Sequence, residues 1–546
     1  MSRGARVRSV VARANKKLTI KGAAILLASS TLLSSLLGLY RERLLNGMYY
    51  DSYKVGIDAY TVAFTIPDFM FFVLVSGALS VSFIPVFNQR LATGNKKSAW
   101  ELSSSMINFL AVVTLVASIL IIIFAEPLVS NIVAPGLSES GRSLAVSMMR
   151  VIAVNPFLFA IATVIASMQQ AIGRFTFYAL APTIYNIGII IGALFFTQGI
   201  NIFGWQVFEG GIMGVALGVV LGSILQLIVS SVGLLGLGFD YQFKISWKNK
   251  GFRKVLRLLP ARSLDQGIDY LNGLVETNLA SHMASGTIRA YQNASTLSMV
   301  PVNLIGVAIS NAAFPQMTER LSEGREDLFR KELQSMIRVI VWLALPVAVV
   351  TYFGRGYIVS FIKNGGDLLM AGLLGALVIA LLFRTIYHIA ARSFYAQQDT
   401  KTPLYISIFS ITLNVALAIY LTATWPKTQN PAYGLAWAQS ITAVVEVAIL
   451  FFIMGRRIPR LFDRAFVKGI TKMVYASLLT MIVSYVCVLI FPLQSDDQRL
   501  FATIPKFAVI AMTSLAAYVL FSRWFHLPEA TPVIKKAKQI MFGRRK

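Results

Sequence analysis

Apolar runs of about 20 residues, the length a helix needs to cross a 30 Å hydrocarbon core, recur along the whole chain between short polar connections. They fall near 22–40, 59–87, 104–124, 146–170, 176–197, 211–237, 262–284, 289–316, 338–362, 368–391, 403–424, 432–454, 469–492 and 503–522. These runs are too long and too continuously apolar for the alternating strands of a membrane barrel, so helices are the spanning element. The pattern predicts an all-α integral membrane protein with about fourteen transmembrane helices.

Composition agrees. Of the 546 residues 56% are hydrophobic and 14% charged, where a soluble domain carries about 25% charged residues. The single Cys487 has no partner, which excludes an intrachain disulfide framework. The basic N-terminus resembles a signal peptide, but the apolar run Gly22–Tyr40 exceeds such a segment, and it reads as a retained first helix.

Charge changes the picture by giving direction. Lys and Arg cluster in the N-terminal arm, in every second loop after it (Lys96 and Lys97, Lys244 to Arg257, Arg320 to Lys331, Arg456 to Arg464) and in the tail from Lys535 to Lys546. The intervening loops, such as 198–210 and 425–431, hold few. By the positive-inside rule both termini are expected to be cytoplasmic, which requires an even number of spans. The net charge of +26 is therefore a topology signal. Because it is dispersed over short loops and not gathered on one face, it predicts no nucleic-acid partner. The basic ends are suited to rest on anionic membrane lipid.

The longest basic connection, Phe239 to Pro260, follows the sixth span and reads as an amphipathic cytoplasmic linker between two lobes. The expected organisation is an arm 1–21, an N-terminal transmembrane lobe 22–238, the linker 239–260, a C-terminal lobe 261–454, two additional helices within 455–524 and a basic tail 525–546. A two-lobed transporter with a cavity between the lobes is the architecture this suggests. The span 262–284 carries Arg262, Asp265, Asp269, Asn272, Glu276, Asn278 and His282, and the next carries Arg289, Asn293 and Asn303. Helices this polar cannot face lipid. Arg41 and Asp58 stand at the end of the first span and the start of the second, and Asp68 lies inside the second. The glycines Gly210, Gly214, Gly218 and Gly222, spaced by four, predict close helix packing. No GxxxxGK[ST], HExxH or GxSxG motif is present. The chain reads as a transporter, not an enzyme, without cofactor or metal. Any energy source is Na+ or H+ coupling, the membrane potential or the substrate gradient.

The runs GLYRERLL, IDAYTVAFTIPDF and SGALSVSFIPVF, with ARSFYAQQDTKTP from Ala391 to Pro403 and ASGTIRAYQNASTLSMVPVNLIGVAISNAAFPQ, resemble the MurJ/MviN lipid II flippase family. The resemblance implies two six-helix lobes around a central cavity plus two C-terminal helices, in the bacterial cytoplasmic membrane. It also implies export of undecaprenyl-pyrophosphate-linked peptidoglycan precursor, lipid II, to the outer leaflet for cell wall synthesis. Lipid II or a related polyprenyl-diphosphate glycolipid, membrane lipids and cell-wall synthesis enzymes are the implied partners.

Residue by residue, the resemblance makes Arg41 and Asp58 substrate-binding candidates, and Glu276 and Asn414 candidates for ion coupling. Where the family has cations or acids, this chain has Ser35, Phe71, Phe72, Ser76 and Thr296, and Ala418 stands one turn beyond Asn414. Arg289, about two turns before Thr296, is the candidate to supply a missing cation, since an Arg fork can hold a diphosphate bidentately. The expected function is an alternating-access lipid II flippase. Alternatives are a flippase for another polyprenyl-linked oligosaccharide, a cation-coupled drug exporter and a non-transporting envelope scaffold.

Overall fold

A computed structural model describes residues 20–76, 83–202, 205–426, 428–494, 497 and 500–542, with the side chains of 20, 21, 23, 24, 76, 202, 205, 207, 258–269, 537, 538 and 540–542 left out. The N-terminal arm up to residue 19, the centre of the SGALSVSF match and the side chains of Arg262, Asp265 and Asp269 thus lie outside the described residues. The chain forms two compact units, Met1–Ile288 and Arg289–Lys546.

The first unit begins with α1 (Ile20–Tyr49), α2 (Lys54–Ala63) and α3 (Thr65–Phe71), which runs into a π turn at Phe72–Ser76. It continues through α4 (Ile84–Ala92), α5 (Lys96–Pro127) with a π turn at Leu128–Val133, α6 (Glu139–Ile152), α7 (Asn155–Ile172) and α8 (Thr176–Phe195). A small antiparallel hairpin, β1 (Ile200–Ile202) and β2 (Trp205–Phe208), precedes α9 (Met213–Val232) and α10 (Lys250–Ser281). Proline accounts for several of the breaks. Pro85 and Pro156 sit in the first turns of α4 and α7, where the missing N–H is tolerated.

In the second unit, α11 (Thr287–Pro301) ends at Pro301 in a π turn, Val302–Val307, and resumes as α12 (Ala308–Ser322). There follow α13 (Glu326–Phe353), α14 (Arg355–Ser360), α15 (Leu368–Ala396), α16 (Lys401–Thr424), α17 (Ala432–Arg457), α18 (Arg464–Ile490), α19 (Leu500–Trp524) and α20 (Ala530–Phe542). One apolar core joins Met317, Phe329, Ile340, Phe394 and Leu450 to Met473 and Tyr518, so the last two spans pack on α13.

Among the described residues, twelve helical stretches are long and apolar enough to cross a membrane. The two other expected positions, 22–40 and 262–284, fall in α1 and α10, helices of 30 and 32 residues. In α10 the residues Asp265, Asp269, Asn272 and Glu276 interrupt the hydrophobic run. Exposed apolar side chains such as Ile123, Leu304, Ile482 and Leu520 suit a hydrocarbon surround.

Glycine sets the closest packing. A Cβ on Gly218 would lie 2.6 Å from the Gly192 Cα, and Gly188 meets Gly222 in the same way, so the backbones of α8 and α9 touch. Gly214, Gly218 and Gly222 thus pack as their spacing predicted. Gly210 does not belong to that ladder: it lies in the turn before α9 with φ +97°, which glycine accommodates. Residues 239–249 are stitched onto α5, with Asn108 donating to the carbonyls of Gln242 (2.8 Å) and Lys244 (2.9 Å) and accepting from the Tyr241 hydroxyl (2.6 Å).

Candidate functional site

In the first unit, one stripe of α1 faces α8. Ser30 donates to the Ala179 carbonyl at 2.5 Å, and Ser34 meets Asn186. Gly38 lies against Asn186 as well, and a Cβ there would be 4.0 Å from the amide. Arg41 completes the stripe, which follows helical three- and four-residue spacing. Its Nη1 donates to Asn186 Oδ1 at 2.9 Å, while Nη2 and Nε donate to Glu42 Oε1 at 2.5 and 3.2 Å. Small residues upstream let the helices approach, and the amide of Asn186 then fixes the guanidinium. Asp68, Tyr60 and Tyr185 lie within electrostatic reach of Arg41. The Arg41 side chain keeps 23% of its surface exposed.

Asp58 forms a second centre. It is 2% exposed, and its Oδ2 accepts from the Gly286 amide at 2.5 Å. Gly286 has φ +92° and immediately precedes α11, so a carboxylate from α2 holds the turn from which α11 starts. The same turn is held twice more. Asn278 donates to the Ile132 carbonyl at 2.6 Å, and the Gly136 amide donates to Ser281 Oγ at 3.1 Å. A Cβ on Gly136 would lie 2.6 Å from the His282 Cα.

Glu276 is 5% exposed and accepts from Asn272 Nδ2 at 2.9 Å, one turn earlier on α10. Arg41, Asp58 and Glu276 therefore belong to the first unit, each with its own partners. Arg289 and Asn414 belong to the second. Arg289 is 4% exposed at the first turn of α11, near Tyr291, which accepts from Gln439 at 2.8 Å. Asn414 is buried in α16, and Ala418 is buried beside it. Among the described residues, no group of three or more His, Cys, Asp or Glu could hold a metal ion.

Two functional candidates escape a reading by hydropathy. Asn186 is a lone amide in an apolar span, and only its contact with Arg41 marks it. Arg384 lies inside the span Leu368–Ala396, two turns before Arg392 at its end, and the span remains apolar overall and so hides this interior cation.

The model of the family described as lipid II flippase MurJ matches residues 54–511. The chain belongs to that family. Curated relatives include the probable lipid II flippases MurJ of Bdellovibrio bacteriovorus, 26% identical over 85% of this chain and 87% of that one, and of Thermotoga maritima, 25% identical over 93% and 97%. A solved lipid II flippase MurJ in an inward closed conformation superposes with TM-score 0.73 at 24% identity, covering 92% of this chain and 99% of that one. An inward-facing MATE transporter of the MOP superfamily follows at TM-score 0.64 and 15% identity, covering 81% and 99%; this likeness is one of fold. Membership of the MurJ family makes the protein a multi-pass inner-membrane transporter.

Proposed function

We propose that the protein flips lipid II, carrying undecaprenyl-pyrophosphate-linked peptidoglycan precursor from the inner to the outer leaflet by alternating access. The observation that carries this is the MurJ family match across residues 54–511. Arg41 supports it chemically. Three of its five N–H donors are committed to Asn186 and Glu42, which leaves two for a phosphate oxygen from a guanidinium already held in place. Asp58 acts as a latch on the Gly286 turn and not as a direct phosphate ligand, because its carboxylate would repel the anion. Arg289 is assigned to the headgroup path once its burial is relieved. Glu276 and Asn414 are assigned to ion coupling, to Na+ or H+. Both termini are assigned to the cytoplasm from the basic loops, and lipid II and the enzymes that polymerise it are the natural partners.

The test is depletion in the native host, with lipid II at the outer leaflet followed by a periplasm-restricted probe. Exposure is expected to collapse on depletion and to return with wild type but not with Arg41→Ala. If lipid II exposure is unchanged while another polyprenyl-linked glycan accumulates inside, the substrate is that glycan.

A further inference from the structure

Arg384, His388 and Arg392 occupy successive turns of α15, separated by four residues each, so they form one stripe about 12 Å long. His388 lies within electrostatic reach of both arginines. Arg392 is anchored at the end of the span: Nη2 donates to Asn311 Oδ1 at 2.6 Å, and its guanidinium lies 5.3 Å from the centre of the Phe314 ring. The middle of the stripe is pressed against the π turn before α12, where a Cβ on Gly306 would come within 2.7 Å of the Thr385 carbonyl and 3.2 Å of the His388 ring. Arg384, about 12 Å deeper along the helix than Arg392, is half-buried, and its Nε has no hydrogen-bond partner. Among the described residues no carboxylate pairs with any of the three.

A cation inside a span is costly, and such residues are ordinarily paired or face a water-filled path. Here no carboxylate of the described residues supplies a paired counter-charge. Arg384 and Arg392 are the only Lys, Arg, Asp or Glu residues in the sequence of α15. Arg392 borders the basic loop that begins the connection to α16, and Arg384 leads inward from it.

We propose that the Arg384–His388–Arg392 stripe is a phosphate-binding site for a lipid-linked diphosphate, entered from the Arg392 end. This rests on the flippase reading and extends it to the second unit. Each member of the stripe, guanidinium or imidazole, lies about 6 Å along the helix from the next, near enough for a diphosphate to engage one N–H donor before it leaves another. A bulk anionic phospholipid offers the same phosphate chemistry, and the experiment separates the two sources.

Full-length protein in phosphatidylethanolamine nanodiscs is titrated with undecaprenyl diphosphate, with and without added phosphatidylglycerol. Arg384→Gln is expected to weaken binding about tenfold and Arg384→Lys to stay within about threefold of wild type, with melting temperatures preserved. Wild-type affinity in a folded Arg384→Gln protein overturns the site while leaving the flippase reading intact. If Arg384→Gln does not fold, Arg392→Gln, at the more exposed end, carries the same expectation and the same refutation. Equal displacement by phosphatidylglycerol makes the stripe a phospholipid site and overturns the substrate. A wild-type protein that does not bind undecaprenyl diphosphate removes both readings together.

Discussion

Removing the Asp58 carboxylate should loosen the turn before α11. Asp58 and Gly286 are both buried, and they meet in a charge-assisted hydrogen bond of 2.5 Å. Asp58→Ala deletes the acceptor and leaves a buried N–H without a partner, at a cost of about 2 kcal/mol, or roughly 30-fold in the opening equilibrium. Asp58→Asn keeps an oxygen but loses the charge, and about 1 kcal/mol, roughly fivefold, is expected. The neighbouring bonds of Asn278 and Gly136 remain, so the unit itself should stay folded. Hydrogen exchange read on peptides covering 282–291 measures this directly: the order should be wild type slowest, Asn intermediate and Ala fastest. Unchanged exchange in Asp58→Ala, with transport abolished, would refute the latch and make Asp58 a participant in substrate or ion handling.

Three further outcomes follow from the geometry. Arg41→Lys keeps the charge but cannot reproduce the fork to Asn186 and Glu42, so complementation of a depleted host should fall well below wild type, and equal growth would contradict the positioning role. Gly192→Leu drives a side chain into the α9 backbone and should destabilise the first unit by about 1–3 kcal/mol, read as a lower melting temperature in detergent; an unchanged melting temperature would contradict the close packing. At Asp399, partial burial opposes the charged form but is outweighed by the Thr402 hydroxyl and amide and by Arg457, and its pKa falls to about 2. A depressed carboxyl gives stability that is present above the unfolded value near 4 and lost as pH falls through the folded one. Wild-type melting should therefore drop relative to Asp399→Asn only between about pH 4 and pH 2, and a gap that is insensitive to pH in that window would contradict the pairing.

Period and composition carried much of the fold. The spans are legible because a hydrocarbon crossing demands unbroken apolar length, and the α8–α9 contact because glycine spaced by four leaves room for nothing else. The resemblance implied a loop at QDTKTP; only its first half is one, because Lys401 to Pro403 already form the first turn of α16, which Asp399 holds by accepting from the Lys401 and Thr402 amides at 3.0 Å and pairing with Arg457 at 2.7 Å. The site was less legible. Arg41 and Asp58 were visible as charges at span ends, but what each does depends on Asn186 and Gly286, 145 and 228 residues away. No local pattern encodes such a partner. Arg384 stayed hidden because hydropathy averages over a window, and one cation in a long apolar run barely lowers the mean.

The touching backbones of α8 and α9 bear on where motion can arise. Asn186, which fixes Arg41, stands two residues before Gly188, inside the stretch where the two helices have no side-chain cushion between them. Such a pair behaves as a plank: neither member can slide or roll without colliding with the other. The Arg41 guanidinium is bolted to that plank. On the proposed reading of Arg41, its charge would move with a rigid mount, with flexing left to the proline breaks and π turns, and not by the swing of a loose side chain.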